Sequence, residues 1–507
     1  MRTAYRVETV RAAEAALMAR LPKGTLMHRA AAGLAAACAG LLGRVYGSRV
    51  VILAGSGDNG GDALYAGARL ARRGAGVAAV LLAPDRAHPG GLADLLAAGG
   101  CVADDPFAAL SAANLVLDGI TGIGGKGGLR PDAVPVARAA RGSNAVVVAV
   151  DLPSGIEADT GEVRGEVLRA DATVTFGTYK PGLLIDPAHE HAGPVRLVPI
   201  GLDAHLPSVP DLEALQHADV ARLLPHPAAE SDKYRRGVVG VVAGSARYPG
   251  AAVLAVAGAL RGGAGAVRYV GPGADAVIAR FPETLVQGGP PSKAGRVQAW
   301  AVGPGLGEDA AEAVRDVLDS DVPVLVDADG LRLLDPRTVR DRAAPTLLTP
   351  HAGEAAALLG VSREEVESAR LASVRELAAR YGATVLLKGS TTLVAAPGEA
   401  VPVRANPMGT PWLATAGSGD VLSGLTGSLL AAGLDARDAG SVGAYLHGLA
   451  ARLAAARGGT PVTAQEVADA LPSACRDVRN TKGARHTEST RHTQHTQHTQ
   501  YAAPGVS

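Results

Sequence analysis

Apolar residues along this chain follow two rhythms. Up to about residue 45 they recur at helical spacing through an alanine-rich stretch that begins near residue 8. From Arg49 onward, short continuous apolar runs alternate with helical segments. The runs Arg49–Ala54 (RVVILA), Val77–Leu82, Leu115–Asp118, Ala145–Asp151 and Ala172–Phe176 predict strands, with a helix over Asp62–Gly74 stopped by glycine. Strands that are apolar at nearly every position, separated by helices, predict a parallel sheet covered on both faces. This first series ends near Leu202.

Asp203–Arg236 holds four prolines and little periodicity beyond one short helix, the signature of a linker. A second alternation follows, with strands predicted at Val238–Ala243, Val267–Val270, Val297–Val302, Val322–Asp327, Thr346–Leu348 and Thr384–Lys388. Two helical runs, about 420–432 and 436–457, close it. From Arg479 the chain becomes a polar His/Thr/Gln repeat whose composition predicts a disordered tail. The expected organisation is an α/β chain of two parallel-sheet domains, 1–205 and 206–478, followed by a tail at 479–507.

Composition narrows the function. At 507 residues the chain is too long for one ordinary domain, and 47% hydrophobic content supplies two cores. Lysine plus arginine (49) equals aspartate plus glutamate (49), which argues against nucleic-acid and anionic-membrane partners. Aromatics are only 3%, so bases would find few stacking platforms. Cys38, Cys101 and Cys475 are too scattered for a disulfide framework or a CxxC metal site. No apolar stretch approaches the roughly 20 residues that span a bilayer, and the N-terminus lacks the apolar core of a secretory signal. A cytoplasmic protein is expected. Only seven of the 49 cations are lysine, so a lysine inside a glycine-rich motif draws notice where geometry or pKa matters.

Three strand ends in the first domain carry oxygen donors. Gly55-Ser-Gly-Asp-Asn-Gly-Gly-Asp62 leads from a strand into a helix, offering backbone N–H groups and a helix N-terminus to an anion. Asp118 is followed by Gly-Ile-Thr-Gly-Ile-Gly-Gly-Lys-Gly-Gly (119–128), and Asp151 by Leu-Pro-Ser-Gly. In an open parallel sheet the carboxyl ends of strands face one crevice, so Asn59, Asp118, Asp151 and Ser154 should converge there. Such a set suits a hard cation better than zinc.

In order, DNGGD (58–62), D-G-I-T-G-I-G (118–124) and DLPSG (151–155) resemble the NAD(P)HX epimerase domain of the bifunctional NAD(P)H-hydrate repair enzymes, over about residues 5–200. The resemblance implies a Rossmann-like fold and a potassium ion held by Asn59, Asp118 and Ser154. It implies substrate contacts from Asp58, Asn59, Gly60, Gly61 and Asp62, from Gly122, Ile123, Gly124, Gly125, Lys126, Gly127 and Gly128, and from Asp151. Asp58 stands where asparagine is commoner in the family. Epimerisation at C6 of the hydrated ring needs an acid–base group. Asp151 is the first candidate and Lys180, in FGTYKPG, the second. The alternative for Asp151 is a turn residue before proline.

The second domain carries Ala243-Gly-Ser-Ala-Arg-Tyr-Pro-Gly-Ala-Ala252, GPGLG (303–307), LTPHAGE (348–354), KGSTT (388–392) and GSGD (417–420). Gly417–Asp420 precedes a long helix, so the helix dipole and a carboxylate meet where a phosphoryl group could transfer. No Walker A sequence is present. Together these motifs resemble the ribokinase-like ADP/ATP-dependent NAD(P)HX dehydratases over about 215–475. By that resemblance Lys388, Gly389, Ser390, Thr391, Thr392 and Gly419 contact the adenine nucleotide. Ala251, Gly305, His351 and Asp420 contact the substrate, with Asp420 as catalytic base and Mg2+ serving the phosphoryl transfer. His351 has a plain loop histidine as its alternative, and NPMGTPWLATAGSGD (406–420) departs from the family pattern at Thr410–Leu413.

The expected activity is repair: interconversion of (R)- and (S)-NAD(P)HX, and dehydration of the S form at the expense of ADP or ATP. Two alternatives are a ribokinase-like vitamin-precursor kinase fused to a ligand-binding domain, and a first domain that is a non-catalytic ligand or RNA-binding module. The choice of ADP or ATP, of NADHX or NADPHX, and whether the chain is a homo-oligomer are not readable from the residues.

Overall fold

The computed structural model describes residues 1–307, 310–456 and 459–497, with 481–497 described by backbone alone. The chain divides into two compact units, one of Arg2–Glu213 with Glu364–Ala372, and one of Met1, Ala214–Arg363 and the chain from Ser373 onward. The division falls a little beyond the expected 205. The expected linker is also more ordered than its prolines suggest. It carries a helix at His217–Leu223, whose Gln216 and Asp219 cap each other's backbone.

In the first unit the strands are β1 (Arg49–Ala54), β2 (Gly76–Leu81), β3 (Cys101–Val102), β4 (Leu115–Gly119), β5 (Val146–Val150), β6 (Ala172–Phe176) and β7 (Val195–Val198). They form one parallel sheet in the order β3-β2-β1-β4-β5-β6-β7. Order reverses between β1 and β4, which opens a crevice at their carboxyl ends. Every residue of β1 after Arg49 is buried, as expected for a strand covered on both faces. Helix Thr25–Leu42 corrects the sequence reading, because it is long and apolar enough to cross a membrane by length and composition. Here its face of Leu26, Ala30, Leu34 and Cys38 is buried in this unit's core.

In the second unit the strands are β8 (Val238–Val242), β9 (Ala266–Val270), β10 (Leu285–Gln287), β11 (Ala299–Val302), β12 (Val324–Val326), β13 (Thr346–Leu348), β14 (Thr384–Leu387), β15 (Thr392–Ala395) and β16 (Val403–Asn406). Their order is β16-β15-β14-β13-β12-β11-β8-β9-β10. All pairs are parallel from β14 to β10, and the β14-β15-β16 meander is antiparallel. The α/β class with two parallel-sheet domains is thus what the chain forms. The unexpected strands are short ones: β3, β7, β10, β15 and β16, and two more of three residues each at Arg2–Ala4 and Leu212–Ala214.

Helix Ser418–Ala431 is buried from Val421 to Ala431 and packs against helix Pro249–Arg261. Their backbones touch because glycine stands at both crossing points. A Cβ on Gly424 would lie 1.8 Å from the Ala255 carbonyl oxygen, and one on Gly258 would lie 2.1 Å from that of Val421. This close approach fixes where the N-terminus of the Ser418 helix points. The final helix begins at Ala464, buries Val467, Leu471, Ala474 and Val478, and continues to Gln497. It therefore enters the stretch expected to lack structure, while 498–507 lie outside the described residues.

Gly424→Ala should lower the stability of the second unit by about 2 kcal/mol, the usual cost of overpacking a tight core. Both tryptophans, Trp300 and Trp412, belong to this unit, so denaturant unfolding followed by their fluorescence reads it directly. An unchanged midpoint would mean that the helices do not meet this closely.

Candidate active sites

Both sheets end their central strands on a buried carboxylate. In the first unit Asp118, within β4, is fully buried. One carboxylate oxygen accepts the Ser154 hydroxyl at 2.5 Å and the other accepts the Ser154 backbone N–H at 2.8 Å. Ser154 Oγ in turn accepts Thr121 N–H at 2.9 Å. Desolvation by burial pushes the Asp118 carboxyl up to about 6, against the lowering effect of these donors. The next residue but three along the same loop, Gly122, rests on Asn59, whose amide carbon would be 3.0 Å from a Cβ there. Asn59 Nδ2 is buried without a hydrogen-bond partner. The Asp118 carboxylate, the Ser154 hydroxyl and the carbonyl oxygen of Asn59, whose side chain lies against the same loop, are oxygen donors of the kind that fits a hard cation. The unpartnered Asn59 Nδ2 is an N–H group and would not ligate one.

Asp151 directly follows β5 and is left-handed, with φ 65°. Aspartate tolerates this region better than most residues, at a cost of about 1–3 kcal/mol. The turn aims its carboxylate back at β6. Thr175 Oγ1 at 2.8 Å, Phe176 N–H at 3.1 Å and Lys180 Nζ at 2.5 Å all donate to Asp151 Oδ1. Lys180 is itself 1% exposed, with further bonds to Thr175 Oγ1 and the Phe176 carbonyl. The three donors on one oxygen leave Asp151 Oδ2 as the oxygen available for proton transfer.

Asp58, Asn59, Gly60, Gly61 and Asp62 form the first turns of helix Asp58–Ala71, which starts a turn earlier than the predicted Asp62. This is a correction to the loop reading, because Gly57 at φ 127° ends the approach and a carboxylate at Asp58 favours helix initiation. Burial, then the charges of Asp151, Asp58 and Glu14, push the Asp62 carboxyl well above the usual range. Glu14 is raised as well, by burial first, with Lys180 opposing and Asp151 and Asp58 adding. Glu14, from helix Val7–Met18, and Arg11, 3.4 Å from where a Gly124 Cβ would lie, are site residues that the sequence reading missed. Ile123 and Gly125 lie in the same loop after β4. The backbone of Lys126 forms an isolated antiparallel β-bridge with that of Glu157, Gly127 packs beside Arg164, and Gly128 N–H bonds the Gly155 carbonyl at 2.6 Å.

In the second unit Asp327 follows β12 and is 2% exposed. It accepts Lys388 Nζ at 2.7 Å and the Ser423 hydroxyl at 2.5 Å. Lys388 also stands 3.6 Å from Glu354. Burial alone would lower the Lys388 pKa, but Asp327 and Glu354 outweigh it and the net shift is upward. Asp420 sits in the first turn of helix Ser418–Ala431. Burial, with Asp327 adding and Lys388 opposing, pushes it up to about 7. A Cβ on Gly419 would lie 3.6 Å from Lys388 Nζ, so Lys388, Gly419 and Asp420 do come together. Gly389, Ser390 and Thr391 form the turn between β14 and β15, which opens at Thr392.

Gly305, at φ 62°, faces Ala251, whose Cβ would be 2.6 Å from a Cβ there. These two expected substrate contacts therefore share one wall. His351 caps helix Ala352–Leu359, its Nδ1 accepting Gly353 and Glu354 N–H, and its side chain remains exposed. Asp327, Asp329 and Ser423 went unnoticed in the sequence. The signal for Asp327 was nevertheless the one used for Asp118, a carboxylate closing an apolar run. The carboxylates around Asp420 are oxygen donors of the kind that suits a phosphate-bound magnesium ion, although Lys388 and Ser423 already engage Asp327.

Comparison with known proteins adds independent information. Residues 239–473 match the family model described as NAD(P)H-hydrate dehydratase, and 23–182 match the YjeF-related protein N-terminus. A bifunctional NAD(P)H-hydrate repair enzyme of Mycobacterium leprae is 50% identical over 466 residues, covering 90% of this chain and 95% of its own length. Its counterpart in Mycobacterium tuberculosis H37Rv is 50% identical over 450 residues, covering 87% and 91%. A solved ADP/ATP-dependent NAD(P)H-hydrate dehydratase of Bacillus subtilis, co-crystallised with ATP/Mg2+, is 32% identical, with a TM-score of 0.49. It covers 54% of this chain and 99% of that one.

The raised Asp118 carboxyl has a measurable consequence. The folded state binds a proton that the unfolded state has released between about pH 4 and 6, so stability falls as pH rises through that window. A shift from 3.8 to about 6 corresponds to about 3 kcal/mol. Asp118→Asn should flatten the pH dependence of the denaturation midpoint across pH 4–6. An unaltered slope would contradict the burial of an ionisable carboxyl.

Proposed function

As a member of the family of bifunctional NAD(P)H-hydrate repair enzymes, the chain carries out epimerisation and nucleotide-dependent dehydration of NAD(P)HX, and we propose how its residues divide that work. The first unit interconverts the C6 epimers. Asp151 Oδ2 acts as the acid–base group at C6, while Thr175, Phe176 N–H and Lys180 hold Oδ1 and fix its orientation. Asp62 and Glu14, with raised carboxyls, keep a proton close to the same place. Glycines after β4 and the first turn of helix Asp58–Ala71 lie against the nucleotide, and Lys126 adds a cation.

Asn59, Asp118 and Ser154 would hold the potassium ion, with Asp118 ionised. Held by those residues, the ion would supply positive charge to an otherwise acidic pocket. Asp118 and Ser154 meanwhile tie the Thr121–Gly122 loop to the DLPSG turn.

The second unit removes the hydroxyl. Asp420 takes the proton of the C6 hydroxyl as the oxygen attacks the terminal phosphoryl group of ADP or ATP. Lys388 and the N-terminus of helix Ser418–Ala431 face the developing charge. The C6–O bond then breaks as the ring nitrogen donates its lone pair, phosphate departs, and loss of a C5 proton restores the dihydropyridine. Magnesium would be held mainly by the nucleotide's phosphates with Asp327 or Asp420 nearby, and supplies counter-charge to the transferring oxygens. The observation that carries this reading is the Asp327–Lys388–Asp420 cluster, which places a carboxyl near pH 7 beside a cation at a helix N-terminus.

Two variants separate the halves. Asp151→Asn should slow epimerisation by roughly 100-fold or more, the usual worth of an acid–base group, and leave dehydration of purified S epimer intact. Asp420→Asn should do the reverse. Chromatography of the two epimers, with absorbance of the reduced ring, reads both. Loss of both activities in either variant, or of neither, would refute the assignment. A base must be ionised to act, so the dehydration rate should rise with pH through a midpoint near 7 to a plateau above it. Lys388→Met removes an opposing cation and should move that rise to higher pH as well as lowering the rate. A rise at the same pH would exclude Asp420 as the titrating group.

A further inference from the structure

A cavity of about 1090 Å3 lies in the second unit, at the carboxyl ends of β8, β9 and β10. Its walls include Arg247 and Tyr248 from the loop after β8, Gly307 from the loop after β11, and Glu312 and Asp316 from helix Ala311–Leu318. It adjoins the catalytic cluster through Asp329. That carboxylate accepts Gly307 N–H at 3.0 Å and is close enough to Asp420 to raise its pKa. Lys388 lies on the other flank, after β14. At about 4.8 Å between strands, β9 stands about 14 Å from β12. The cavity is therefore set back from Asp327, which stands beside Asp420, by roughly the reach of a dinucleotide's second half.

We propose that this cavity seats the adenosine end of the substrate, and that Glu312 and Asp316 make it favour a free ribose 2′-hydroxyl over a 2′-phosphate. This rests on the dehydratase reading and sharpens it to NADHX over NADPHX. Among the described residues lining the cavity, Arg247 is the one cation, with its guanidinium 5.1 Å from the centre of the Tyr248 ring. A single guanidinium in the lining matches the pyrophosphate that both coenzymes share. The two carboxylates, one helical turn apart, match hydroxyls. Asp316 spends one oxygen on Ser292 N–H at 2.6 Å, which secures the wall and leaves its second oxygen as an acceptor. Ionised carboxylates accept hydrogen bonds and donate none, so a ribose diol can pair with them. A 2′-phosphate would instead bring negative charge against them. The same logic separates the two coenzymes in dinucleotide-binding folds, where an acidic residue takes the 2′-hydroxyl and an arginine takes the phosphate.

The test compares dehydration of (S)-NADHX and (S)-NADPHX by the full chain, with equilibrium binding of NADH and NADPH measured in parallel by coenzyme fluorescence. The wild type should favour NADHX by about tenfold in kcat/KM, expressed in KM. Glu312→Gln should bring the ratio towards unity and Glu312→Arg should invert it, with the same ordering in the two binding constants. Asp316→Asn keeps an acceptor for Ser292 and should shift the ratio in the same direction by a smaller factor. A ratio unmoved by any of the three, or a change confined to KM for ADP, would overturn the proposal. Failure of the dehydratase reading looks different: neither hydrate would be turned over, while the NADH and NADPH binding constants would still report on the cavity.

Discussion

A lysine–aspartate pair at the carboxyl end of each parallel sheet is the contact on which the rest depends. Lys180 with Asp151 and Lys388 with Asp327 draw on two of the chain's seven lysines. Arginine is the cation almost everywhere else. A compact ammonium can enter a narrow space between strand ends where a planar guanidinium cannot, and it offers three donors from one point. Lys180 uses them on Asp151, Thr175 and the Phe176 carbonyl. Removing one partner of such a buried pair leaves an uncompensated charge, at a typical cost of about 3–5 kcal/mol. The pairs therefore hold the strand ends in place as well as shaping their electrostatics.

The two sites use that shared device differently. In the first, all the donors converge on one carboxylate oxygen and the other is left to react, on a residue whose left-handed backbone is itself strained. In the second, the paired carboxylate is not the proposed base. Asp327 and Lys388 together set the field in which Asp420 titrates, one pushing its pKa up and the other pulling it down. The glycine-to-backbone contacts of helices Pro249–Arg261 and Ser418–Ala431 put Asp420 within that field. Packing, helix position and proton affinity form one chain of cause.

Much of this was legible in the residues. Central strands such as β1 and β8 announce themselves as uninterrupted apolar runs because they are buried on both faces. The motif loops follow them because parallel topology gathers strand ends. The short outer strands were not legible, since β3 has two residues and β10 three, too few to show a period. Asp58–Asp62 reads as a loop by its glycines, yet a capping glycine and an acidic first turn make it helical. Glu14 and Arg11 reach the first site from a helix distant in sequence, and no local pattern signals such a contact. Thr175 is hidden inside a strand where threonine is ordinary. Asp327 carries the same strand-end signal as Asp118, a carboxylate closing an apolar run.

One chain converts both hydrates to the reduced coenzyme by acting on them in succession. The most direct measurement of this is a time course with an equal mixture of the epimers, excess ADP and the full chain, resolving R, S and reduced coenzyme together. Both epimers should disappear, with reduced coenzyme equal to their sum and S always depleted ahead of R. A reaction that stops when S is exhausted, with R decaying no faster than in the absence of protein, would contradict it.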